Sequence, residues 1–288
     1  MIRKRNGEFI VTNEKQNKLL KKLYGTAFGR MLLKVLTAPC ISKAAGAYMS
    51  SPLSKPLIKR FISNNNIDTS QYVMEGFRSY NDFFTRRVKD GMRPVDMTAE
   101  HLVSPCDSKL SAYRICPHSI FSIKGSRYSV TDLLGGNKKL ARQYSGGYCL
   151  IFRLEVDDYH RYCFFDSGTK SDSTFIKGEL HTVNPVALRH YNIYKRNCRE
   201  YTVLHTDHFG DAVQIEVGAM LVGKIANHHE KHSFSRGDEK GMFLFGGSTI
   251  VLLLKRNTAV IDEDIVINSA VECETVVKLG EKIGIRRA

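Results

Sequence analysis

Apolar and polar positions change their rhythm part-way along the chain. From Asn17 to Thr37, residues Leu19, Leu20, Leu23, Ala27, Met31 and Val35 recur at helical spacing, with Lys18, Lys21, Lys22, Arg30 and Lys34 on the polar side. Gly25 and Gly29 weaken that helix without forbidding it. Such a basic amphipathic helix fits two settings: a lipid interface with anionic headgroups, or the protein's own core. A second helix is predicted at Leu57–Asn64, after the Ser51-Pro52 break, and a short third one at Tyr80–Arg87. From Val103 onward the pattern turns to short apolar runs separated by Gly, Asp and Asn. Strands are predicted at Tyr148–Leu154, Tyr201–His205, Ala212–Val217, Met220–Ile225, Thr249–Leu254 and Ile265–Ile267. Helix-length periodicity is scarce there, which argues against a parallel βαβ architecture. The pattern predicts a helical region at 1–65 followed by a β-rich domain at 66–288, with no internal repeats.

Composition and charge narrow the class. The chain has 288 residues, 42% hydrophobic and 25% charged, which suits a globular protein with a sizeable core. Its net charge of +14 asks for an anionic partner. The basic residues are dispersed and match no nucleic-acid-binding motif, so nucleic acid is not expected. Seven cysteines without CxxC spacing read as reduced thiols rather than a disulfide frame or zinc site. The sequence shows no 18-residue apolar run and no cleavable signal peptide, so no transmembrane segment and no export are expected. His228, His229 and His232 lack a thiol or carboxylate partner at metal-site spacing and read as a solvated loop. Gly135-Gly136 and Gly146-Gly147 lack the residues of a phosphate-binding loop and read as turns.

Chemistry concentrates in three separated segments. The first is Val103-Ser-Pro-Cys-Asp107-Ser-Lys, where the Asp could equally be a turn former. The second is Asp157-Asp-Tyr-His160-Arg-Tyr-Cys163, where a buried structural His is the plainer reading. The third is Gly241-Met-Phe-Leu-Phe-Gly246-Gly247-Ser248-Thr249, where paired glycines ahead of an apolar strand usually mean a bulge or turn.

Taken together, these segments resemble the phosphatidylserine decarboxylase family. The resemblance also runs through Asn66-Ile-Asp68, Phe83-Phe-Thr-Arg86, Arg93-Pro-Val-Asp96, Tyr128-Ser-Val-Thr-Asp-Leu-Leu-Gly135, Leu180-His-Thr-Val-Asn-Pro185, Val217-Gly-Ala219 and Lys240-Gly-Met-Phe243. It implies an α+β fold with N-terminal helices on a mainly antiparallel β-rich catalytic domain. It also implies a covalent pyruvoyl cofactor, made by self-cleavage between Gly247 and Ser248 into residues 1–247 and 248–288, which stay associated. The pyruvoyl group would form a Schiff base with phosphatidylserine and act as electron sink for loss of carbon dioxide. Phosphatidylethanolamine would be the product.

In the family an Asp, a His and the Ser form a relay for self-cleavage. Asp107 matches the Asp and Ser248 the Ser. His160 matches the first His of the usual His-x-x-His, to which the resemblance assigns positioning or protonation of the substrate. The second His, the usual relay base, is replaced by Cys163, and a thiolate serves as base only if its pKa falls well below about 8.5. His181 is the leading substitute. The implied partners are the lipid substrate, an anionic membrane surface on its cytoplasmic face and, by analogy, a second copy of the chain. The competing expectations are an uncleaved, non-catalytic member that only binds acidic phospholipid, and a pyruvoyl decarboxylase for another amine-bearing acid.

Overall fold

The computed structural model describes residues 1–10, 22–23, 25–26, 29, 39–116, 120–123, 126–178, 197–218, 225–228, 232–244 and 248–287. The chain opens with two short strands, β1 (Ile2–Arg3) and β2 (Phe9–Ile10). Helices α1 (Pro39–Ser50), α2 (Pro56–Asn65) and α3 (Tyr80–Phe84) follow. Then come β3 (His101–Val103), β4 (Ser108–Arg114), the hairpin β5 (Ile120–Ile123) and β6 (Ser126–Ser129), and short helices α4 (Val130–Leu133) and α5 (Lys138–Arg142). The middle of the chain carries β7 (Tyr148–Leu154), β8 (Arg161–Cys163), β9 (Gly168–Lys170), β10 (Thr174–Ile176), β11 (Arg199–Thr206) and β12 (Gly210–Val217). It continues through β13 (Ile225–Asn227), β14 (Ser233–Phe234), β15 (Glu239–Phe243), β16 (Ser248–Leu254) and β17 (Ala259–Ile261). Helix α6 (Glu263–Ala270) and strands β18 (Glu274–Val277) and β19 (Lys282–Arg286) close it. This is the α+β class that the family resemblance implies.

One sheet organises the molecule, in the order β14-β9-β11-β12-β16-β7-β4-β18-β1-β2, with β10 also on β11. Its pairings are antiparallel except β1 against β18. Strands β7 and β16 lie at its centre and are buried at all seven of their positions, because both faces of the sheet are covered. Alternation then sends successive side chains to two cores. Ile151, Val213, Ile215, Val251 and Leu253 enter one core with Tyr144 of the turn after α5 and Val130 and Leu133 of α4. Leu150, Phe152, Ile250, Leu252 and Leu254 enter the other, beneath two small sheets, β13-β15-β8 and β17-β19-β3. Each such side chain stabilises the fold by roughly 1.5–3 kcal/mol relative to exposure.

The helices attach through specific contacts. Ser79 caps α3 by accepting from the Asp82 amide, the Tyr80 amide donates to Ser54 Oγ at 2.8 Å, and Asn81 Nδ2 donates to Ser50 Oγ at 2.7 Å. Phe61 of α2 meets Tyr80 edge-on with ring centroids 5.3 Å apart. The helix expected at Asn17–Thr37 lies mostly outside the described residues; Leu23 within it packs against the first core.

Three expectations need correction. Ile265–Ile267 is helix rather than strand, because Ile265 is buried while Val266 and Ile267 are exposed, and Glu263 and Asp264 occupy the first turn where carboxylates suit the helix dipole. The helix at Tyr80 ends at Phe84 instead of Arg87, whereas the strand expected at Met220–Ile225 lies outside the described residues up to 224, Ile225 being the first residue of β13. The region read as helical at 1–65 also begins with strand, since β1 joins the central sheet.

Candidate active site

Ser248 is the first residue of β16 and pairs with Leu154 of β7. It is buried, and among the described residues its Oγ has no hydrogen-bond partner. A buried hydroxyl left unsatisfied is unfavourable, typically by about 1–3 kcal/mol, so such an atom calls for a reason. Gly247 lies outside the described residues.

Asp107 stands at the head of β4 with every carboxylate oxygen engaged. Arg93 Nε donates to Oδ1 at 2.9 Å and to Oδ2 at 3.0 Å, and Arg93 Nη2 to Oδ2 at 2.7 Å. Lys278 Nζ adds a contact to Oδ2 at 3.1 Å, and the Leu279 amide donates to Oδ1 at 2.9 Å. Burial alone would raise this carboxyl, but Arg93, Lys278 and the amide together hold it below the ordinary Asp value. Asp107 is therefore an ionised, fixed carboxylate.

His160 precedes β8 and is fully buried. Its Nδ1 lies 2.9 Å from the Asp158 carbonyl oxygen. A carbonyl oxygen only accepts, so Nδ1 carries the proton and Nε2 keeps a lone pair. Nε2 has no partner. The Phe84 ring covers the imidazole at 4.0 Å between centroids. Burial first, and the Arg86 charge next, bring the imidazole down to about 3, so it is neutral at physiological pH. The Phe243 amide donates to the His160 carbonyl at 2.9 Å, which ties β15 to this segment. Five residues later comes Ser248, so the chain cannot place Ser248 more than about 17 Å from Phe243.

Cys163 closes β8 opposite Glu239, and its amide donates to the Pro105 carbonyl at 2.9 Å. The structure thus sets the His160–Cys163 segment against the Pro105–Asp107 segment. Burial pushes the Cys163 thiol up to about 12, which makes a thiolate base unfavourable near neutrality. Cys106 is buried as well, and its thiol is raised for the same reason. Among the cysteines, exposed Cys116 is expected to react with iodoacetamide well ahead of Cys106, Cys149 and Cys163. Peptide mass mapping before and after unfolding in urea checks this; alkylation of Cys163 at the Cys116 rate would show that its thiolate is accessible. His181 lies outside the described residues.

Other groups at the site were missed from sequence. Arg93 and Lys278 anchor Asp107, although Lys278 is 171 residues away and nothing local marks it. Lys109 Nζ binds Asp158 Oδ2 at 2.6 Å in a buried pair that fixes the turn before His160. Arg93 and Arg86 do lie in segments that the sequence singles out, but their roles show only in the contacts. His228, by contrast, is exposed and bonds Glu239 at 2.8 Å, and the described residues hold no cluster of three metal-binding side chains.

The described residues thus offer a buried hydroxyl at the head of β16, a neutral imidazole with a free lone pair before β8 and a fixed carboxylate before β4. That inventory suits proton transfer from an alcohol and attack on a carbonyl. The sequence profile of the phosphatidylserine decarboxylase family matches residues 80–285. The chain is 48% identical over 278 residues to phosphatidylserine decarboxylase proenzyme 2 of Clostridium acetobutylicum, covering 96% of this chain and 95% of that one. It is 44% identical to a phosphatidylserine decarboxylase proenzyme of Ruminiclostridium cellulolyticum, covering 93% and 91%. A proenzyme of the same name from Clostridium botulinum is 38% identical, covering 99% and 98%.

Proposed function

The chain belongs to the phosphatidylserine decarboxylase family, and from that membership we propose that it converts phosphatidylserine to phosphatidylethanolamine with a pyruvoyl group made from its own Ser248. The observation that carries this reading is the Ser248 hydroxyl, buried and unpartnered at the head of β16. A residue kept for attack on the preceding carbonyl needs a hydroxyl that no other acceptor or donor holds. The Ser248 side chain therefore fits the group it would become.

Self-cleavage then follows from the residues present. A base takes the Ser248 Oγ proton, and Oγ attacks the Gly247 carbonyl, so the amide becomes an ester with a free Ser248 amine. Loss of the Ser248 Cα proton expels the Gly247 carboxylate, and water then releases ammonia. We take His160 as the base, since among the described residues its Nε2 is free and its imidazole neutral. His181 is the competing base, and Cys163 is disfavoured by its raised thiol. Asp107 supplies a permanent negative charge near the imidazolium that proton transfer would create. The pyruvoyl ketone supplies the electron sink for decarboxylation that pyridoxal phosphate provides elsewhere. In that step the buried, Phe84-covered His160 positions or protonates the substrate in a site shielded from water.

Association of the two pieces is supported by the sheet itself. β16 is bonded to β12 on one side and β7 on the other, and β18 to β4, so residues 248–287 are woven into the core. Among the described residues no helix is long and apolar enough to cross a membrane. Peripheral attachment through the basic N-terminal segment on the cytoplasmic face accounts for access to a lipid substrate. The competing reading is an uncleaved protein that only binds anionic lipid; the raised Cys163 thiol favours it, and the free Nε2 of His160 opposes it.

The test is release of labelled carbon dioxide from vesicles containing carboxyl-labelled phosphatidylserine. Turnover is expected on vesicles and not with free serine or glycerophosphoserine. Equal turnover of the soluble acids would move the substrate class away from lipids.

A further inference from the structure

Arg86 follows α3 and is buried. Its guanidinium lies 4.2 Å from the Tyr72 ring centroid and 5.0 Å from that of Phe83. Nη2 donates to the carbonyl oxygens of Asp157 at 3.1 Å and Asp158 at 3.4 Å, whereas Nε and Nη1 have no partner. The nearby Asp158 carboxylate is committed elsewhere, to Lys109 Nζ and the Glu155 amide. A buried cation with no carboxylate bound to it among the described residues is unfavourable, so its position needs a purpose.

The Asp158 carbonyl oxygen links Arg86 to the site, because it also accepts the proton of His160 Nδ1 at 2.9 Å. Two donors, one of them a cation, thus converge on a single acceptor. The acceptor fixes which imidazole nitrogen is protonated. The cation, undiminished by a counter-charge, opposes a second proton on the ring. We propose that Arg86 is a positioning residue that holds His160, through the shared Asp158 carbonyl, as the neutral Nδ1–H form with a lone pair rather than a proton on Nε2. The proposal deepens the reading of His160 as the base and rests on it for its catalytic consequence.

The other groups that act on His160 set the balance. Lys109 adds to the effect of Arg86, Asp107 opposes it, and the Phe84 ring shields one imidazole face from water. Burial is the larger influence and Arg86 the largest single charge. Arg86 is therefore the charge whose removal is expected to raise His160 most.

Nitrogen NMR of histidine-labelled protein reads the tautomer directly, with His160 assigned by the signal lost in His160→Gln. In the wild-type protein His160 is expected as the Nδ1–H form and still neutral at pH 5. In Arg86→Gln its titration midpoint is expected to rise by about one unit or more, and in Arg86→Lys to return toward the wild-type value. The acid limb of the self-cleavage rate should move upward by the same amount in Arg86→Gln. An Nε2–H tautomer in the wild-type protein overturns the proposal, as does an Arg86→Gln midpoint equal to wild type. The wild-type spectrum needs neither a folded variant nor enzymatic activity. A raised His160 midpoint in Arg86→Gln in a protein that does not turn over phosphatidylserine would support the Arg86 assignment and count against the proposed function.

Discussion

Denatured, freshly purified protein is expected to give two masses in place of one at 32.6 kDa: residues 1–247, and residues 248–288 opening on a ketone that reacts with hydrazine. Ser248→Ala should remain a single chain and lose decarboxylation entirely, because no other group can supply both the attacking oxygen and the new carbonyl. His160→Gln should slow cleavage by about 10²–10⁴-fold, the usual contribution of a positioned base. Cys163→Ala is expected to cleave at the wild-type rate, since burial keeps that thiol protonated. His181→Ala separates the two histidines. Normal cleavage there, with His160→Gln stalled, assigns the proton transfer to His160; the opposite pattern assigns it to His181. A wild-type chain that stays whole on incubation with membranes would leave lipid binding without catalysis as the better account.

The central strands were legible because their residues face apolar cores on both sides. Tyr148–Leu154 and Ser248–Leu254 are near-continuous apolar runs, and only a strand between two covered faces buries every one of them. Ile265–Ile267 misled because three β-branched residues carry a local preference that a helix on the protein surface overrides. β1 left no trace in the pattern, being two residues long and paired with a strand near the other end of the chain. Ser248, Asp107 and His160 are singled out by resemblance, since each sits in a recognisable segment. Their electrostatic states could not, because these are set by residues distant in sequence: Lys278 at Asp107 and Arg86 at His160. The dispersed basic residues are also not all surface charge. Lys109, Arg153, Arg236 and Lys240 are buried and bonded to carboxylates.

Lys240→Met is expected to be among the most damaging single changes outside the catalytic groups. Lys240 Nζ lies 2.8 Å from Glu216 Oε1 and 3.2 Å from Asn227 Oδ1, with both charged side chains buried beneath the small sheet. Glu216 also accepts from Gln214 Nε2 at 3.1 Å and, through Oε2, from Asn227 Nδ2 at 3.1 Å. Removing the ammonium leaves the Glu216 carboxylate without its counter-ion, at a cost of about 3–5 kcal/mol. Removing both charges should cost much less, because a neutral amide keeps most of the hydrogen bonds and needs no counter-ion. Lys240→Met combined with Glu216→Gln is therefore expected to recover most of the loss. Urea unfolding of these variants in the uncleaved Ser248→Ala chain reads the difference without two pieces separating. Losses below about 1 kcal/mol in Lys240→Met would show that water or rearrangement satisfies Glu216. The pair also bears on catalysis: Lys240 holds β15, and β15 ends at Phe243, whose amide bonds the His160 carbonyl five residues before Ser248. A strand loosened at Lys240 would loosen both the base and the approach to the cleavage site, so the double variant should restore cleavage along with stability when introduced into the wild-type chain.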